Sequence, residues 1–157
     1  MRSSIFALAV WGVLLMLPST AIAASKPFTK QAFTEVSQSF QGKKWLMLMW
    51  SLDCPPCFKE LSLVGEMLKA KQSLNVVLIN VDGDNSLDNE KAEVIKQFGL
   101  GTVTQLNFQE GLEQKSRYQI DPNWHGELPR SYFFDKSGKA NAKSGLVSKK
   151  LLQHWLL

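Results

Sequence analysis

The stretch WLMLMWSLDCPPCF, Trp45 to Phe58, decides how this chain is read. Trp45 to Trp50 is an unbroken apolar run of six residues between Lys43-Lys44 and Ser51. Its length and flanks predict a strand buried on both faces rather than a helix. Asp53-Cys54-Pro55-Pro56-Cys57 follows, and from Phe58 to Ala70 apolar residues fall at Leu61, Val64, Met67 and Leu68, which is helical spacing. The two cysteines therefore stand at a strand-to-helix junction.

Working outward, Leu74 to Val81 reads as a second buried strand and Asp82-Gly83-Asp84-Asn85 as a turn cluster. Asp88 to Phe98 carries Ala92, Ile95 and Phe98 on one helical face and is stopped by Gly99 and Gly101. Val103 to Phe108 fits a short extended piece, Leu112 to Tyr118 a short helix, and residues 121–128 a loop with Pro122 and Gly126. Pro129 opens the extended run Ser131-Tyr132-Phe133-Phe134. Asp135-Lys136-Ser137-Gly138 is a hairpin-type turn, returning as an edge strand over Lys139 to Ser144. Ser148 starts a last helix with Leu151, Leu152 and Trp155 inward. Upstream, Thr29 caps a helix that carries Phe33, Val36 and Phe40, and residues 24–27 read as a tail. Early β-α-β units imply parallel strands, the late hairpin an antiparallel addition, and the class is α/β.

A chain of 157 residues, 45% hydrophobic and 20% charged, fits one globular domain. The 18 basic residues exceed the 14 acidic ones but are dispersed, so the charge of +4 is a solvated excess and nucleic acid is not an expected partner. Arg2, the apolar run Ile5 to Leu17 and the small-x-small site Ala21-Ile22-Ala23 predict a signal peptide over 1–23, with cleavage after Ala23 and a domain over 24–157. The rival is an uncleaved anchor, the one case in which the membrane is contacted. Disulfides persist outside the bacterial cytoplasm. Two cysteines there, both in one Cys-x-x-Cys unit, suggest a redox pair, Cys54 and Cys57.

These residues resemble the thioredoxin fold and, more narrowly, the exported TlpA/ResA-like thiol–disulfide oxidoreductases. The likeness spans residues 29–157. It rests on a strand ending at Met49-Trp50-Ser51 ahead of Cys-Pro-Pro-Cys and a helix. It rests too on Leu128-Pro129 before an aromatic strand and hairpin, and on Gly145 before the last helix. The resemblance implies a three-layer α/β/α sandwich with a central mixed sheet, and a cis bond before Pro129. The chain departs from the pattern at Asp53, where an aromatic residue is common, and at Arg130, where Thr is frequent. It departs also at Leu48, where thioredoxin itself has a buried acid, and in the loop 121–127.

The resemblance makes Cys54 the attacking thiolate and Cys57 the resolving thiol. A cysteine at a helix start gains from the macrodipole and from unpaired N–H groups. Pro55 and Pro56 have no N–H, Asp53 adds a negative charge, and no His stands between the cysteines. All three argue for a modestly stabilised thiolate and hence a reducing pair, an argument Arg130 opposes if its side chain reaches Cys54. Leu128 and Pro129 would position an extended substrate by strand-like pairing, with Glu127 on the same surface and Trp50 and Phe58 supplying apolar contact.

The expected partners are cysteine-containing periplasmic proteins, with a membrane thiol reductant as electron donor and no cofactor or metal. Reduction during cytochrome c maturation is one setting the resemblance implies. Other readings stay open: an oxidase or isomerase running the exchange in reverse, a redox-inert binding module, a metal chaperone, or a structural disulfide. A zinc site would need both His125 and His154, which are distant and irregularly spaced. Covalent haem attachment fails because Phe58, not His, follows Cys57.

Overall fold

A computed structural model describes residues 25–70 and 74–156. In chain order the elements are β1 (Lys26–Pro27), α1 (Lys30–Ser39), β2 (Trp45–Trp50), α2 (Pro55–Ala70), β3 (Val76–Asn80), α3 (Asp88–Gln97), β4 (Thr104–Asn107), α4 (Glu113–Ile120), β5 (Arg130–Phe134), β6 (Ala140–Ser144) and α5 (Lys149–Leu156). The strands form one mixed sheet in the order β1-β4-β3-β2-β5-β6. β1 to β4 run parallel to one another, β5 adds antiparallel beside β2, and β6 adds antiparallel beside β5.

β2 is central because all six of its residues are apolar and both faces must be covered. Leu46, Leu48 and Trp50 point to one side, where Leu61 and Val64 of α2, Ile95 of α3 and Leu152 of α5 close over them. Trp45, Met47 and Met49 point to the other, toward Phe33 and Val36 of α1, Ile120 of α4 and the loop residues Phe28, Phe108 and Trp124. Burying each such side chain stabilises by roughly 1.5–3 kcal/mol, so the sheet carries a core on each face and the chain is a three-layer α/β/α sandwich. Trp45 stacks on Phe134 with ring centroids 3.8 Å apart and on Phe40 at 5.3 Å.

Thr29 caps α1 as predicted, its Oγ1 accepting the Ala32 N–H at 3.0 Å. The tail over 24–27 needs correction. Lys26 and Pro27 pair in parallel with Leu106 and Asn107. The cause is Phe28, which is buried against Phe33 and Phe108 and donates its N–H to Asn107 O at 2.7 Å. α2 begins three residues before Phe58, since the first N–H groups of a helix lack intrahelical acceptors and proline suits them. Gly65 lets α2 approach the end of α3, because a Cβ there would collide with the carbonyl oxygen of Phe98. The predicted signal segment and its cleavage site lie outside the described residues. Among the described residues no helix is long and apolar enough to cross a membrane.

Candidate active site

Cys54 and Cys57 form a disulfide with Cα atoms 5.3 Å apart at the start of α2. The turn from β2 is tied down residue by residue. Ser51 O accepts the Cys54 N–H at 3.2 Å, and Ser51 Oγ accepts the Asp53 N–H at 3.0 Å. Asp82 Oδ2, from the turn after β3, accepts the Leu52 N–H at 3.0 Å and the Asn80 amide at 2.8 Å. Cys54 occupies the cap position, and its carbonyl accepts the Cys57 N–H at 2.9 Å. With Pro55 and Pro56 next in line, no N–H of the first two helical residues points at the Cys54 sulfur. Cys57 is the more deeply buried, 1% exposed against 6% for Cys54.

One buried carboxylate near the disulfide escaped the sequence reading. Glu60, 2% exposed, stands one helical turn after Cys57 on the inward stripe of α2. Its carboxylate accepts the Val147 N–H and lies 3.5 Å from the Ser131 hydroxyl. Burial pushes the Glu60 carboxyl above its ordinary range, while the Val147 and Ser131 hydrogen bonds and the Lys143 charge pull part of the way back. Leu48, the position where an acid was missing, pairs in register with Ser131, so the acid reaches the same row of the sheet from the helix above. The signal was present: a carboxylate three residues after Cys57, among Leu61 and Val64, on the face that must be buried.

The Leu128–Pro129 peptide bond is cis. Pro129 O accepts the Gly145 N–H at 2.9 Å, and Gly145 takes the left-handed conformation with φ +78°. Glu127 O accepts the Trp124 indole N–H at 2.9 Å. Between these two pinned carbonyls, the N–H and C=O of Leu128 make no hydrogen bond among the described residues. Leu146 beside them is 47% exposed, and Pro55 and Pro56 are exposed at the helix start.

The condition under which Arg130 would act on Cys54 is not met. Arg130 does not turn toward the cysteines. It pairs with Met49 in register, and its side chain joins Tyr132 on the face of the sheet opposite the disulfide. There it donates to Asp121 Oδ2 at 2.8 Å, Ser144 Oγ at 2.6 Å and Glu127 Oε1 at 3.2 Å. Burial would raise the Asp121 carboxyl, but the Asn123 N–H, Arg130 and Tyr132 outweigh it and hold it below its usual value. Trp50 is 3% exposed and packs in the core with both cysteines, giving the apolar contact expected beside the pair. Phe58 is half-buried, near Phe98. Asp53 keeps an exposed side chain.

A cavity of about 870 Å³ lies beside the site, under α3, walled by Trp50, Ile95, Gln105 and Asn107, and neither cysteine lines it. Among the described residues no group of three His, Cys, Asp or Glu side chains could hold a metal ion.

No family model matches the chain. The thiol-disulfide oxidoreductase ResA of Bacillus thuringiensis is 28% identical over 120 residues, covering 76% of this chain and 65% of that protein, so the chain spans just under two thirds of that relative's length. The crystal structure of StoA from Bacillus subtilis superposes with a TM-score of 0.52 at 25% identity, over 73% of this chain and 83% of that one. A secreted Mycobacterium tuberculosis disulfide oxidoreductase, homologous to E. coli DsbE, superposes with a TM-score of 0.58 at 20% identity, over 74% and 82%. The chain thus has a thioredoxin-like fold, and its sequence is similar to thiol-disulfide oxidoreductases named ResA.

Proposed function

We propose that this protein is an extracytoplasmic thiol–disulfide oxidoreductase that reduces cysteine pairs in partner proteins. The observation that carries the reading is the Cys54–Cys57 disulfide at a helix start, with a buried carboxylate one turn along the same helix. Names of relatives support the activity, and the export-type segment over 1–23 supports the location.

The reduced protein begins the reaction with the Cys54 thiolate. It attacks one sulfur of a partner disulfide, forming a Cys54–partner S–S bond and expelling the other partner sulfur as a thiolate, which takes up a proton. Cys57 then gives its proton to the ionised Glu60 carboxylate and attacks the Cys54 sulfur. The mixed disulfide breaks, the second partner thiolate leaves, and the Cys54–Cys57 bond closes. Two electrons have passed to the partner, and a membrane dithiol restores the pair by the reverse exchange. A carboxyl raised by burial suits the middle step, since its proton affinity lies nearer that of a thiol.

A polypeptide substrate fits the surface better than a small molecule. The free N–H and C=O of Leu128 offer strand-type pairing, and Pro55, Pro56 and Leu146 give an apolar rim. The reducing direction rests on the lack of N–H donors from Pro55 and Pro56 and on the charge of Asp53. The deciding experiment is a Cys57→Ser trap in the exporting cell, paired with Cys54→Ser. Mixed disulfides should accumulate with the first variant and vanish with the second. Equal capture by both, or none by either, would remove the exchange reading. Equilibration with glutathione fixes the direction, and a pair as oxidising as a strong periplasmic oxidant would reverse it.

A further inference from the structure

Arg130 follows the cis-proline, yet its side chain lies on the far side of the sheet from the sulfurs. It is 12% exposed and gathers three segments at once: Asp121 and Glu127 at the two ends of the loop before Pro129, and Ser144 at the end of β6. Ser144 Oγ closes the circuit by donating to Glu127 Oε1 at 2.8 Å, and the Tyr132 hydroxyl donates to Asp121 Oδ2 at 3.2 Å. Burial pushes that hydroxyl up to about 12, so it stays a donor across the physiological range. Glu127 Oε2 accepts the His125 N–H at 3.2 Å, and Arg117 reaches His125 O at 3.2 Å.

Stability alone would not choose this arrangement. Among the described residues the Arg130 Nε–H is buried without a partner, and a desolvated, unpaired donor on a charged group is costly. What the circuit secures is the backbone of 127–130. Glu127 is held by its side chain and its carbonyl, Pro129 by its carbonyl, and Arg130 by its guanidinium. The N–H and C=O of Leu128 make no hydrogen bond among the described residues.

We propose that Arg130 is a positioning residue. Its fork clamps the 121–129 loop to β5 and β6, fixing Leu128 as a preformed ledge for an extended peptide, and it thereby sets affinity for polypeptide disulfides without touching the thiol chemistry. A preformed ledge lowers the ordering cost of binding. A guanidinium suits the task because its planar fork serves several oxygens at once, which an ammonium cannot do. The inference rests on the exchange function proposed above.

The test compares two substrates with the same leaving group in the full-length reduced protein. One is the disulfide of thionitrobenzoate with itself. The other is the mixed disulfide of thionitrobenzoate with a short extended peptide carrying one cysteine. Arg130→Met and Glu127→Ala should each raise KM for the peptide substrate about tenfold, the scale of one lost charge-assisted hydrogen bond, with kcat little changed. Rates with the small disulfide, and the equilibrium with glutathione, should move by no more than about twofold. Arg130→Lys should recover only part of the peptide KM. Equal loss on both substrates, an unchanged peptide KM, or a native protein that does not favour the peptide would overturn the clamp. The Glu127 side chain is 46% exposed, so its variant carries the test if Arg130→Met does not fold. If the native protein exchanges with neither substrate, the oxidoreductase reading itself falls, and the clamp with it.

Discussion

The Glu60 carboxylate accepts the backbone N–H of Val147, joining the helix that carries Cys57 to the loop that begins at Gly145. Gly145 in turn donates its N–H to Pro129 O, so the buried acid and the cis-proline ledge share one loop. The carboxyl is raised above its ordinary range chiefly by burial. Its protonated form is therefore favoured in the folded state, and the associated stability is present at low pH and lost as pH rises past the unfolded value of 4.5 through the raised one. Melting of the oxidised protein from about pH 4 to about pH 8 should show the native chain losing ground to Glu60→Gln. The same variant should slow release of the mixed disulfide by on the order of a hundredfold, read by single-turnover kinetics. An unchanged release rate would remove Glu60 from the proton path.

The two sulfurs differ in access. Cys54 is 6% exposed and Cys57 1%. In the reduced protein, brief alkylation followed by mass mapping should label Cys54 first, with Cys57 modified only slowly. Preferential labelling of Cys57 would exchange the two roles.

Asp82 is the anchor of the turn that delivers Cys54, since its Oδ2 takes both the Leu52 N–H and the Asn80 amide. Asp82→Ala leaves those donors without their acceptor and should cost about 1–3 kcal/mol in urea unfolding. Hydrogen exchange at the Leu52 amide should quicken more than at the β2 amides. A uniform change across β2 would show that the turn has no separate anchor.

Gly65→Ala tests the close approach of α2 to the end of α3. The added methyl meets the Phe98 carbonyl, which is backbone and cannot swing aside, so overpacking should outweigh the gain in helix propensity. Unfolding free energy should fall by about 1–3 kcal/mol. A stabilised variant would mean that the two helices separate freely.

Most of the scaffold was legible because it is written in local patterns. The doubly buried strand over Trp45–Trp50 shows as a continuous apolar run, and α1 shows both its cap at Thr29 and its apolar face. β1 was not legible, because two residues carry no period, and only the seating of Phe28 against Phe33 and Phe108 brings Lys26–Pro27 beside β4. Glu60 was hidden for a related reason. A carboxylate on a helix reads as solvated until a neighbouring loop is seen to offer it a buried N–H.

What the sequence by itself determined is the reactive unit: two cysteines spaced for one helical turn, preceded by a buried strand and followed by an amphipathic helix. Those features depend on neighbours within a few residues. The tertiary structure alone decided which side of the sheet each flanking side chain serves. Along β5, Arg130 and Tyr132 share one face and Ser131 and Phe133 the other, and both sets contain an aromatic. Alternation therefore leaves the phase open, and a shift of one residue would exchange every side chain between faces. Pairing of Met49 with Arg130 settles it, sending the guanidinium away from Cys54 and into the clamp behind Pro129.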